Sequence, residues 1–66
     1  MTNIKLITDE LEKHGFEYDI NLKKTVISTR ASLLDIYKIF CDKVIIEYND
    51  SNTLLLNNDI KINNIV

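Results

Sequence analysis

The sequence predicts an α+β fold, α-β-β-α-β-β-β, in which an antiparallel sheet carries two helices packed on one face. Three observations lead there. Apolar residues recur at helical spacing in just two stretches. Period-two alternation marks the segments between and after them. Sixty-six residues, 45% hydrophobic and 27% charged, make one globular domain, 1–66, near the lower size limit for folding unaided.

The first helix is expected over residues 3–14, where Ile4, Ile7, Leu11 and His14 share a face at i, i+3, i+7 spacing. Asp9, Glu10, Glu12 and Lys13 lie away from that stripe. Gly15 follows, where a left-handed C-terminal cap places no penalty on a residue without Cβ. The period then changes to two in Phe16-Glu17-Tyr18-Asp19-Ile20-Asn21, a half-buried strand. Asn21 to Lys24 reads as a turn, and the β-branched stretch Thr25–Thr29 returns as a second strand. Ser32, with Asp35 three places on, resembles a capping box and opens the second helix. Its stripe is Leu33, Ile36, Tyr37 and Phe40; Ile39 lies off the stripe, so the helix is either unusually buried or offers apolar surface to something else. Val44, Ile46 and Tyr48 then alternate with Ile45, Glu47 and Asn49, and Asn49–Asn52 is a turn by composition. Thr53 to Leu56 forms the next strand. Asn57-Asn58 suits a tight turn, because asparagine tolerates positive φ. Ile60 and Ile62 lie on one phase of a short last strand. Phe16-Glu17-Tyr18-Asp19 and Ile46-Glu47-Tyr48-Asn49 echo one another, each after a helix and before a turn and a returning strand.

Composition excludes several function classes. One cysteine, Cys41, forbids an intrachain disulfide, and one histidine, His14, forbids a Cys/His zinc cluster. A single glycine cannot build a phosphate-binding loop. No apolar run approaches the roughly 18 residues of a membrane span. The N-terminus lacks the basic-then-apolar pattern of a signal peptide, and a lone thiol suits a reducing cytoplasm. With a net charge of −2 the chain lacks the basic stripe of a dedicated nucleic-acid binder.

No cofactor, metal or catalytic residue is therefore expected. His14 and Cys41 are the one available base–nucleophile pair. With no third group to orient the imidazole, Cys41 reads better as a buried small hydrophobe and His14 as a helix-end residue. Tyr18, Tyr37 and Tyr48 each fall on the apolar phase of their element and read as core. The informative feature is the outer sheet face. If Phe16, Tyr18, Val44, Ile46 and Leu54 point inward, and Val26 is chosen as inward in a second strand whose phase is ambiguous, then Ile27, Ile45 and Leu55 form an apolar centre outside, bordered by Glu17, Asp19 and Glu47. A patch of that kind marks an interaction surface. An acidic rim favours a basic partner, such as a nucleic-acid-handling enzyme.

The opening, a helix leading through His14-Gly15-Phe16 into a strand, resembles the start of HicA-type toxins, small RNases of double-stranded-RNA-binding fold. The resemblance spans about the first twenty residues. Those toxins carry a histidine in a glycine-rich second strand; Thr25–Thr29 holds neither, and a second helix followed by three strands departs from their order. The RNase activity is not carried over.

The expectation is a non-catalytic protein-binding module acting by stoichiometric binding, of the inhibitor or regulator kind that phages and mobile elements direct at host complexes. Glu17, Asp19, Ile27, Ile39, Ile45, Glu47 and Leu55 are its candidate binding residues. A nucleic-acid-binding or RNA-processing module using Lys23, Lys24 and Arg30 is the first alternative, and a structural homodimer the second.

Overall fold

The computed structural model describes residues 4–65. The elements follow the predicted order: α1 (Ile4–Lys13), β1 (Tyr18–Asn21), β2 (Val26–Thr29), α2 (Leu33–Phe40), β3 (Ile46–Asp50), β4 (Thr53–Leu56) and β5 (Ile60–Asn64). Residue 3 of the predicted first helix lies outside the described residues.

Local chemistry sets the boundaries. Gly15 sits at φ 82°. Its N–H donates to Glu12 O at 3.0 Å, while Phe16 N–H donates to Leu11 O at 2.9 Å. These are the paired bonds of a Schellman cap, which turns the chain out of α1 toward β1. At α2, Ser32 Oγ accepts from Asp35 N–H at 3.1 Å, satisfying one of the free donors of the first turn. Asn57 and Asn58 both adopt positive φ, 51° and 62°, as the tight β4–β5 connection requires. Asn57 also holds the entry to β3, donating its N–H to Ile45 O and accepting Ile45 N–H on Oδ1, each at 2.7 Å.

The sheet order is β1-β2-β5-β4-β3. Three of the pairings are antiparallel, but β2 and β5 run parallel, so the sheet is mixed where a wholly antiparallel one was predicted. The β3–β4–β5 meander inserts its last strand at the centre, which buries Ile60 and Ile62 and gives β5 a partner on each side. Strand directions are those of a two-fold normal to the sheet through β5, exchanging β1 with β3 and β2 with β4. The Phe16–Asp19 and Ile46–Asn49 echo falls on that exchanged pair of strands.

Register assigns the faces, because cross-strand partners share a side. One face carries the rows Tyr18–Thr29 and Ile20–Ile27–Ile62–Leu54–Tyr48, with Ile60, Leu56 and Ile46 beside them. Ile7 and Leu11 of α1 and Ile36, Ile39 and Phe40 of α2 join Ile27, Leu54, Leu56, Ile60 and Ile62 in one core. Both helices therefore cover this face. α1 lies on the β1 side, where the Tyr18 hydroxyl reaches Thr8 and Glu12. Thr29, fully buried, donates to Glu17 O at 2.7 Å and accepts Ala31 N–H at 3.3 Å, tying β1 to the β2–α2 link. Asn64 Nδ2 donates to Ala31 O at 2.7 Å and secures the same link to β5.

Two packing expectations are corrected here. Ile27, expected to face out, is completely buried, and Val26 takes the outer phase. The longer aliphatic side chain fills the centre of the core, a choice that alternation alone leaves open in a strand apolar on both phases. Ile39, expected to be offered outward, is 9% exposed and belongs to the core, while Tyr37 turns out. The buried stripe of α2 is Leu33, Ile36, Ile39 and Phe40, rotated from the predicted one. An isoleucine gains more from full burial than a tyrosine whose hydroxyl needs a partner.

Candidate interaction surface

The outer face of the sheet is not the apolar patch that the sequence predicts. Its central row reads Asn21–Val26–Lys61–Leu55–Glu47, and the next reads Asp19–Ser28–Asn63–Thr53. With Ile27 inside, Lys61 occupies the middle, between half-buried Val26 and Leu55. Ile45 lies just before β3 at the corner of the face and is exposed. The predicted acidic rim also separates. Asp19 lies on β1 and Glu47 on β3, at opposite edges of the sheet, about 19 Å apart across four strand spacings. Glu17 and Asp19 instead line an open groove of about 480 Å³ with Glu12, Phe16, Tyr18 and Arg30. Burial, reinforced by the Glu12 carboxylate that accepts its hydrogen bond, pushes the Tyr18 hydroxyl above the ordinary tyrosine pKa.

The nucleophile–base pairing gains nothing. Cys41, expected to be buried, is exposed at the end of α2, its Sγ 3.9 Å from Lys38 O. His14 is exposed in the turn after α1, lining a second groove with Asp35, Lys38 and Asp42. Among the described residues no group of three or more His, Cys, Asp or Glu side chains could hold a metal. Lys23 and Lys24 sit in the β1–β2 turn and Arg30 just past the far end of β2, so the basic residues of the nucleic-acid reading do not converge. No helix among the described residues is long and apolar enough to cross a membrane.

Exposed apolar side chains lie at the β3 edge and on α2. Tyr48, on the helix-side face of β3, is 73% exposed, Tyr37 54% and Leu34 62%. The helical geometry explains why. Leu33, Ile36 and Phe40 point α2 down onto the sheet, while Asp35, Lys38 and Ile39 face the end of α1 across the second groove. Leu34, Tyr37 and Cys41, at i, i+3, i+7, are left exposed on the side of α2 away from that groove. Ile45, 63% exposed, stands on the other side of the β3 edge, next to Glu47. Of the predicted binding residues, Ile45 and Glu47 therefore belong to this surface. Leu55 borders it on the outer face. Tyr37, Tyr48 and Leu34, assigned to the core or its flank by periodicity, are the residues that sequence reasoning missed. The usable signal was that α2 carries more apolar side chains than one face can bury.

The two echoed tyrosines differ in their cover. Tyr18 is half-buried under α1, whereas Tyr48 at the corresponding place on β3 stands open. At the far end of β3, Asp50 Oδ1 accepts Asn52 N–H at 2.9 Å, which holds its carboxyl below the ordinary aspartate value. The ladder also breaks register between Tyr48 and Asp50. No family model, curated protein or solved structure matches this chain.

Proposed function

We propose that the protein is a non-catalytic binding module of the cytoplasm that acts by stoichiometric association with another protein, as an inhibitor or regulator does. The observation that carries this reading is the exposure of Ile45 and Tyr48 at one sheet edge, with Leu34 and Tyr37 exposed on α2. Single exposed aliphatics are ordinary on small proteins, but a set with two tyrosines and a charged border has the composition of an interface centre. The acidic side chain at its border, Glu47, favours a basic partner surface, including that of a nucleic-acid-handling enzyme. Small size supports the same reading, since so little core leaves few residues to spare for a preorganised catalytic site.

The test is retention of partners on the immobilised chain from nuclease-treated extract of its native cells, with Tyr48→Ala/Tyr37→Ala as the comparison. The reading expects a protein held in one-to-one proportion by the parent and lost by the double variant. It fails if both chains retain the same proteins. It also fails if the purified chain binds mixed oligonucleotides with the steep salt dependence of phosphate contacts.

A further inference from the structure

We propose that the free edge of β3 takes up an extended strand of the partner, with apolar residues on one side of that strand and basic residues on the other. The proposal rests on the protein-binding reading above and specifies how the surface is used.

The backbone supplies the first argument. Asn57 N–H donates to Ile45 O, so the polar groups of residue 45 face β4. In an antiparallel ladder the direction alternates, so Glu47 also faces β4 while Ile46 and Tyr48 turn their N–H and C=O outward. Among the described residues no strand lies beyond β3, and the strand contains neither lysine nor proline, the residues that commonly blunt an edge. The register break after Tyr48 confines an added ladder to the first part of the strand.

Side chains supply the second. On the helix side an incoming strand would meet Tyr48, whose side chain is 73% exposed. On the outer side it would meet Glu47, which shares the face of Leu55, with Asp50 on the same face just past the register break. An incoming strand alternates sides by the same geometry, so the complementary segment is apolar at every second residue and basic between.

Charge also decides against two other arrangements. A second copy pairing β3 to β3 would place the Glu47 and Asp50 carboxylates of both chains on one face, where like charges oppose pairing. The opposite edge, β1, has its helix-side Tyr18 covered by α1. The exposed side of α1 carries Lys5, Asp9, Glu12 and Lys13 beside a single exposed leucine, Leu6.

The test uses a short capped peptide alternating lysine and valine, titrated into isotope-labelled protein. The expected result is micromolar-range binding, with amide shifts centred on Ile46 to Tyr48. N-methylation of the peptide at alternate residues removes backbone donors along one edge and should weaken binding about tenfold. Glu47→Lys, at an exposed side chain that leaves the fold intact, should weaken it by a similar factor. A glutamate–valine peptide should not bind. Three results would overturn the proposal: no binding of the lysine–valine peptide to folded protein, equal binding of the N-methylated peptide, or sedimentation as a dimer with Ile46 and Tyr48 amides already protected. Any of these alongside retention of a protein that depends on Tyr37 and Tyr48 would refute strand addition and leave the binding module standing.

Discussion

Replacing Ile27 and Val26 separately by alanine tests the strand phase on which the whole surface assignment depends. Ile27 is completely buried, between Ile20 and Ile62 in the central helix-side row, whereas Val26 is half-buried on the outer face beside Lys61. Truncating a fully buried isoleucine removes its transfer free energy and leaves a cavity, about 2–5 kcal/mol. A half-buried valine on an uncovered face forfeits only part of the burial energy of its two methyl groups, below about 1 kcal/mol. A chain of this length has a total stability of about 3–10 kcal/mol. Ile27→Ala should therefore remove a large share of it, while Val26→Ala should fold almost normally. Urea titration followed by far-UV circular dichroism gives both values, with Ile27→Val, at about 0.5–1.5 kcal/mol, as the intermediate should the alanine variant fail to fold. Should Val26→Ala prove as costly as Ile27→Ala, β2 would be reversed. An apolar centre would then return to the outer face, and the surface described here would be misplaced.

Further outcomes follow from single positions. Gly15→Ala meets no neighbouring atom within 4 Å at the added Cβ, so its cost is backbone alone. Strain of about 1–2 kcal/mol at positive φ, partly offset by the lower entropy of the unfolded chain, leaves about 1 kcal/mol. Thermal unfolding should register this as a fall of about 4–8 °C, and an unchanged midpoint would contradict the capping geometry. Cys41 should react with a thiol reagent in native buffer as fast as in denaturant, since its side chain is exposed; protection would return it to the core. Asp50 should titrate below the ordinary 3.8 because Asn52 N–H stabilises its carboxylate. A depressed folded-state pKa contributes stability above the unfolded value, lost as pH falls through the folded one. Asp50→Asn should therefore flatten the acid limb of the stability curve, and a normal Asp50 titration by carbon-detected NMR would refute the turn assignment.

Much of the fold was legible because local chemistry speaks for it. Gly15, Ser32 and the Asn57-Asn58 pair each carry a backbone preference that marks a boundary without reference to the rest of the chain. Alternation likewise placed Tyr18, Ile46 and Leu54 on the helix side. The central position of β5 and its parallel pairing with β2 were not legible, because strand order follows from which strands best share a core rather than from the pattern within any one of them. The exposed apolar side chains were misplaced for a related reason. Val26-Ile27 is apolar on both phases, so its facing is settled by volume in the assembled core. In α2, Ile39 and Tyr37 compete for the same buried face, and periodicity cannot rank them. Tyr48 satisfied every rule for an inward residue, yet β3 is an edge strand, and the rule does not say whether a helix extends over it.

The most direct test of the central claim is site-specific photo-crosslinking in the cells that make the protein, with a photoreactive residue at Tyr48 or, as the control, at Ile20. Both lie on edge strands in the same cross-sheet row, on the helix side. If the β3 edge is the binding surface, the probe at 48 yields a discrete protein adduct and the probe at 20 yields none. Equal adducts at both positions, or adducts with nucleic acid alone at 48, would contradict it.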